Sequence, residues 1–512
     1  MSEMTGWLLV WPILLPVLAS ALAVVAWGRE RTQTLIGFAG LLAQFVAALA
    51  LFVQVWAQGP LAMSMGGWAA PFGIALAADT LGAGLTLIAT LVALAIAVYA
   101  WADSTPEQRS GGLFPLVLAL MTGVAGAFLT SDIFNLYVWF EVTLISSFGL
   151  IVLGGRREQI DGAVKYAVLN LLATTLLLIA IGLLYGLTGT LNMADLATKV
   201  AQLPPGAALE SIALLFLVSL GMKAALFPLY FWLPAAYHTP LPAVSALFAA
   251  LLTKVGVYAL IRVFMTVFPE GFALTREAMA WAAAATMLLG ALGALAEVDL
   301  RRLVSYTVVS GVGVMVAGLA IGSEAALLAA IFYIVHSIII SAALFMAAGL
   351  VVRSAGSADI EQLSGLYKGV PWLAVAFLLA GLSLAGVPPL AGFWPKVYLV
   401  QAGLDAGAYM LVVAVLLSGF LLLLTVGRSF ALVFWREAES AATPARPAPD
   451  ASAALAGGGR HLRYALGALV LLTLLLGLYA APVVEVALRA AAELRAPGPY
   501  FDAVLGTAEL RP

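Results

Sequence analysis

The sequence predicts an all-α polytopic membrane protein with about 14 transmembrane helices, and three observations carry that reading. Of 512 residues, 63% are hydrophobic and only 10% charged, a balance outside the range of water-soluble domains. Apolar runs recur in lengths of about 20 residues, enough to cross a bilayer as helix. Runs such as LLATTLLLIAIGLLYGL are continuously apolar, whereas barrel strands would alternate apolar and polar residues.

The stretches in order are 7–27, 33–56, 80–101, 113–130, 132–154, 162–187, 208–237, 242–266, 277–296, 303–322, 325–352, 371–401, 407–435 and 462–482. The first resembles a signal peptide only in its ASALA; the preceding MSEMTGW has no basic residue and the apolar run continues to Trp27, so we read it as a retained helix. A net charge of -2 leaves no basic field for nucleic acid. The absence of cysteine excludes disulfides, thiol catalysis and cysteinyl metal centres, and three scattered histidines (His238, His336, His461) argue against a bis-histidine haem. No cofactor or metal is expected.

Lysine and arginine set the orientation. Fourteen of them, including Arg29, Arg109, Arg156, Arg301, Arg353 and Arg436, fall in loops after the first, third, fifth, ninth, eleventh and thirteenth stretches; five (Lys199, Arg276, Arg489, Arg495, Arg511) fall on the other side. Both termini are therefore expected outside the cytoplasm. Residues 437–460, rich in Ala, Pro, Ser and Gly, read as a flexible cytoplasmic loop. Beyond Ala481, EVALRAAAELR spaces Glu485, Arg489 and Glu493 as i,i+4 pairs of a short surface helix.

The remaining basic residues lie inside spans. Glu141 is near the middle of the fifth stretch, Lys223 and Lys254 are central in the seventh and eighth, and His336 is mid-span in the eleventh. A charge at such depth costs at least about 2.5 kcal/mol unless it is paired or neutralised. Desolvation penalises the charged form of any buried lysine, which makes it a proton donor and acceptor rather than a fixed cation. The alternatives are a helix-packing hydrogen bond by a neutral Glu141, static ion pairs for Lys223 and Lys254, and a hydrogen-bonded core histidine for His336. Lys396, late in the twelfth stretch, either snorkels to the interface or lines a break made by Pro388, Pro389 and Pro395. Arg262 and Arg428, nearer the ends of their spans, read as interface anchors.

The seventh and twelfth stretches are both proline-interrupted beside a lysine and stand five helices apart, a pattern of paired repeats. The organisation expected is 1–101, three N-terminal helices; 113–266, a first five-helix repeat; 277–435, a second, inverted because five is odd; 437–460, the loop; and 462–512, a last helix and tail.

FNLYVWFEV around Glu141, GMKAALFPLYFWLPAAYHTPLPAVSALFAALLTKVGVYALIR from Gly221 to Arg262, and LAGVPPLAGFWPK ending at Lys396 resemble the antiporter-like subunits shared by Mrp antiporters and respiratory complex I. Within that group the chain most resembles the D-type subunits of Mrp-type multisubunit monovalent cation/proton antiporters. Lysine rather than glutamate at position 396, and a chain ending at Pro512 with no long lateral helix, favour that family.

The resemblance implies a proton relay through Glu141, Lys223, Lys254, His336 and Lys396 in a Na⁺/H⁺ antiporter assembled with other Mrp-type membrane subunits in a prokaryotic cytoplasmic membrane. Glu141 paired to Lys223 is the expected start. Rival readings are a proton-pumping subunit of a redox complex, such as complex I or a membrane-bound hydrogenase, and a scaffold without transport. The topology is testable because the chain lacks cysteine. A cysteine placed at position 450 should be shielded from an impermeant thiol reagent in intact cells while cysteines near either terminus react, and labelling at 450 would overturn the orientation.

Overall fold

A computed structural model describes residues 3–204, 206–268, 272–437 and 459–506. The flexible loop expected at 437–460 lies almost wholly outside them. Helix occupies each apolar stretch. In chain order the elements are α1 (Glu3–Val25), α2 (Glu30–Gln58), β1 (Leu61–Ser64), β2 (Ala75–Ala78), α3 (Thr80–Asp103), α4 (Pro106–Ser110), α5 (Leu113–Leu129), α6 (Ile133–Val152), α7 (Arg157–Thr188), α8 (Met193–Gln202), α9 (Ala207–Ala224), α10 (Trp232–Tyr237) and α11 (Pro242–Arg262). The second half continues with α12 (Ala273–Ala296), α13 (Leu300–Ile321), α14 (Glu324–Ala355), α15 (Leu366–Gly369), α16 (Pro371–Ala385), α17 (Phe393–Asp405), α18 (Tyr409–Phe430), α19 (Gly459–Leu478), α20 (Ala481–Arg495) and α21 (Gly498–Leu505). Among the described residues 12 helices have the length and composition to cross a membrane, and α5 and α16 are shorter apolar helices.

In hydrocarbon each polar backbone group needs an internal partner, and side chains supply partners where helices end or break. Asp79, Asp132, Asp299 and Ser323 cap α3, α6, α13 and α14 by accepting backbone N–H groups of the first turn. Pro16 inside α1 offers no N–H to the carbonyl of Pro12, and buried Gln44 of α2 donates to that carbonyl at 2.9 Å. The antiparallel hairpin β1–β2, registered Leu61 to Ala78, was not legible as strand in so apolar a segment.

Contacts between loops fix which ends lie together. Arg109 pairs with Glu30, and Arg353 with Asp103. Arg156 donates to Thr239 O, Arg301 to Pro240 O, and Arg436 to Glu361 O and Leu363 O. These contacts join loops that follow odd-numbered stretches. At the opposite end Arg489 donates to Trp56 O at 2.6 Å and Val55 O at 3.2 Å, while Glu493 accepts from Thr80 N at 2.9 Å. A cation thus meets the C-terminus of α2 and an anion the N-terminus of α3, as the helix dipoles favour. The expected surface helix is therefore α20, but it is half-buried and clamps the turn between α2 and α3.

Arg262 corrects the sequence reading. It is 3% exposed rather than an interface anchor, its guanidinium 2.8 Å from the Asp79 carboxylate and flanked by the rings of Tyr258 and Tyr500. The span simply runs one further turn, Val263–Val267, with π-type hydrogen bonding. Arg428 fits its expected role, partly exposed and bonded to Leu295 O. Removing one partner of a buried pair strands the other charge, so Asp79→Ala should cost about 3 to 5 kcal/mol. Thermal unfolding of the purified protein should show that loss, and the double variant Asp79→Leu, Arg262→Met should recover most of it.

Candidate functional site

The site begins where α9 stops. Ala225 takes a left-handed conformation, φ 66°, and helix resumes only at the six-residue α10. Lys223 is in the last turn before this break, 6% exposed, with its Nζ 5.4 Å above the Phe140 ring. A cavity of about 20 Å³ beside it is lined by Thr143, Tyr166, Asn170 and Trp232 among others, space for a single water.

Lys254 is fully buried in α11, and its Nζ donates to Ala249 O at 2.5 Å and to Ser341 Oγ of α14 at 3.3 Å. The helices carrying Lys223 and Lys254 touch at Gly256. A Cβ there would stand 2.7 Å from Ala224 N and 2.9 Å from the Lys223 carbonyl carbon, so only glycine allows this approach.

His336 is 1% exposed and neither ring nitrogen has a hydrogen-bond partner. It faces the second break, between α16 and α17. A Cβ on Gly392 would meet His336 Nε2 at 2.9 Å and press against Ser383 O. Lys254 and Lys396 both lie within electrostatic range of the imidazole. Lys396 is 9% exposed, and its ammonium turns back to donate to Leu384 O at 3.0 Å and Ala385 O at 2.8 Å. It does not snorkel: the break leaves carbonyls at the end of α16 without helical partners, and the ammonium satisfies them. Pro395 breaks nothing, since it sits in the first turn of α17, where a missing N–H is tolerated. A cavity of about 540 Å³ with mainly apolar walls extends from Lys396 past Val400 and Gln401 to Leu404 and Asp405.

Four of the five expected residues, Lys223, Lys254, His336 and Lys396, are thus buried. Glu141 differs. It is half-buried, one carboxylate oxygen has no partner, and among the described residues no ion pair within 4 Å joins it to Lys223. The sequence left open whether the two touch; Phe140, the neighbour of Glu141 on α6, is what lies under Lys223. Around Glu141 the same helix exposes Phe134, Val138, Ile145 and Phe148. Sequence reasoning missed Ser341 and Asn170. Ser341 sits five residues after His336, and Asn170 is a lone amide in an apolar run, which was the available signal. Among the described residues no three of His, Cys, Asp or Glu gather as metal ligands would. At the mouth of α10, outside the spans, desolvation holds the His238 imidazole below its usual value, while its bond to Pro234 O at 2.8 Å acts the other way.

Buried ionisable residues inside apolar helices, two of them beside helix breaks, are features that transport proteins carry. Residues 130–421 match the family described as NADH:quinone oxidoreductase/Mrp antiporter, TM, and the chain belongs to that family. It is 38% identical to the D-type subunit of the Na(+)/H(+) antiporter of Alkalihalophilus pseudofirmus, over 97% of this chain and 99% of the relative. Its fold matches a chain in the structure of the Mrp complex from Dietzia sp. DQ12-45-1b, with TM-score 0.89, 32% identity, and coverage of 98% of this chain and 100% of that one. A chain of the membrane-bound sulfane sulfur reductase, an archaeal respiratory membrane complex, matches with TM-score 0.87 and 26% identity, covering 98% and 100%.

Gly392 gives a sharp test of the second break. Gly392→Val should force His336 and Ser383 apart and lower ion transport at least tenfold in assembled protein, with Gly392→Ala intermediate. Unchanged transport by Gly392→Val vesicles would show that this close approach is dispensable.

Proposed function

We propose that the protein is a proton-translocating subunit of a hetero-oligomeric Na⁺/H⁺ antiporter, embedded in the cytoplasmic membrane of a prokaryote with both termini outside. The reading is carried by a set of enclosed residues: Lys223 and Lys254 on helices in contact at Gly256, Lys254 bonded to Ser341 of the helix that bears His336, and His336 against the break beside Lys396. Each ammonium in it is held by a carbonyl, a hydroxyl or a ring face rather than by a carboxylate, so its proton can leave without breaking an ion pair. The breaks beside Lys223 and Lys396 interrupt the helices at points where backbone can border a water file. The likeness to a named antiporter subunit along nearly the whole chain supports Na⁺ and H⁺ as the ions exchanged.

Glu141 acts at one end of the relay. Its carboxylate lies within electrostatic range of Lys223 and favours the charged lysine without touching it, so small movements of α6 change that attraction steeply in a low dielectric. A half-exposed carboxylate at mid-membrane needs a polar neighbour, which supports partner subunits of the Mrp type covering the exposed face of α6. The chemistry is transport and requires no covalent intermediate.

Paired features support two repeats over 113–266 and 277–435. Asp132 bridges Asn192 in the first and Asp299 bridges Asp359 in the second. Breaks follow Ala224 and Ala385, and π-type turns end α11 and α18 at Val263–Val267 and Ala431–Trp435. A second reading, a proton-pumping subunit of a respiratory complex, is supported by the likeness to the sulfane sulfur reductase chain, but at lower identity.

The test is transport in vesicles from an antiporter-deficient host, with assembly measured separately. Glu141→Ala and Lys223→Ala should each abolish Na⁺-dependent proton flux while the complex still assembles. Near-normal flux in an assembled Glu141→Ala complex would sink the relay.

A further inference from the structure

At the end of the molecule that carries the basic loops, α3, α11, α13 and α14 converge on a second polar cluster outside the row already described. Asp103, the last residue of α3, turns inward. Its side chain is 10% exposed, its Oδ1 is 3.5 Å from Arg353 of α14, and its Oδ2 is buried without a hydrogen-bond partner. Arg301, in the first turn of α13, lies within electrostatic range of this carboxylate. Its guanidinium, however, is engaged elsewhere, donating to Pro240 O and to Ser245 Oγ at 3.2 Å.

Ser245 is fully buried in the first turn of α11. One turn further along the same helix is Ala249, whose carbonyl accepts from Lys254. Arg301 therefore covers the basic-loop end of the polar edge of α11 that leads to Lys254. The packing beside it is tight: Tyr99 donates to Met346 O at 3.1 Å, and a Cβ on Gly349 would stand 2.9 Å from the Tyr99 hydroxyl.

We infer that Arg301 is a gate between the basic-loop end and Lys254, and that Asp103 is the acceptor it moves to when the gate opens. The carboxylate oxygen left unpartnered is expensive in a buried site, and a guanidinium is a fork able to bind a carboxylate through two N–H groups. Movement of Arg301 from Ser245 to Asp103 satisfies that oxygen and leaves Pro240 O and Ser245 Oγ facing a space that water can enter. Each state leaves some groups bonded and others exposed, which keeps the two close in free energy. Asp103 and Arg301 are positioning residues here; neither carries the transported proton. The inference rests on the proposed relay only in assigning Lys254 as the destination.

The chain has no cysteine, so Ala249→Cys, one turn deeper on α11 and outside the Arg301 contacts, reports access in the assembled complex while the Ser245 hydroxyl is kept. The probe is a small positively charged methanethiosulfonate added to inverted vesicles, and the readout is the modification rate of that cysteine. In the Asp103→Asn background the acceptor is weakened, Arg301 stays closed, and modification should slow about tenfold, with Asp103→Glu restoring it. Arg301→Met should instead hold the path open and speed modification. Equal rates in the parent, Asp103→Asn and Arg301→Met proteins would overturn the gate. Because the measurement does not require transport, it separates failure of the gate from failure of the relay: persistent flux in Lys254 variants would refute the relay while leaving the access result to stand.

Discussion

The fold depends on one constraint: polar groups that hydrocarbon cannot solvate must satisfy each other. Carbonyls released at the end of α16 hold the Lys396 ammonium, and a second lone pair on the helical Ala249 carbonyl serves Lys254. Neither lysine is locked by a carboxylate. Where an arginine is meant to stay charged, the sequence gives it one, as Asp79 does for Arg262. The contrast divides the buried cations into one paired to a carboxylate and those held by carbonyls, a hydroxyl or a ring face.

That division was only half legible in the sequence. The apolar runs located the spans, and the proline pairs at 228 and 388–389 located the breaks, because helix length and missing N–H groups are local properties. Lys223, Lys254 and His336 stood out as ionisable residues far from any loop, and Lys396 through the prolines around it. What they touch depends on neighbours distant in sequence. Asp79 lies 183 residues before Arg262, and no local pattern marks it as a partner rather than a helix cap. Whether Glu141 touches Lys223 was likewise beyond the sequence: charge sign gives the attraction, but the Phe140 ring under the ammonium is a matter of packing.

Glu141 also shows why this chain is part of a larger assembly. The stripe of Phe134, Val138, Ile145 and Phe148 would suit lipid, but a carboxylate in its middle would not. Lys396 instead borders a cavity with mainly apolar walls. The two ends are therefore unlike in charge, one an unsatisfied acceptor and the other a cation with a largely apolar cavity beside it, and a multisubunit complex can join such ends to neighbours of complementary character.

The central claim is that Lys254, the most enclosed of the lysines, exchanges its proton rather than serving as a fixed charge. Arginine preserves the positive charge but cannot release a proton under working conditions. The direct measurement is proton flux in vesicles bearing assembled Lys254→Arg protein, with Lys254→Met as the uncharged reference. The account predicts that both lose flux to the background rate. Flux equal to that of the parent in Lys254→Arg vesicles would mean that a static charge suffices at this position, and the relay would lose its middle.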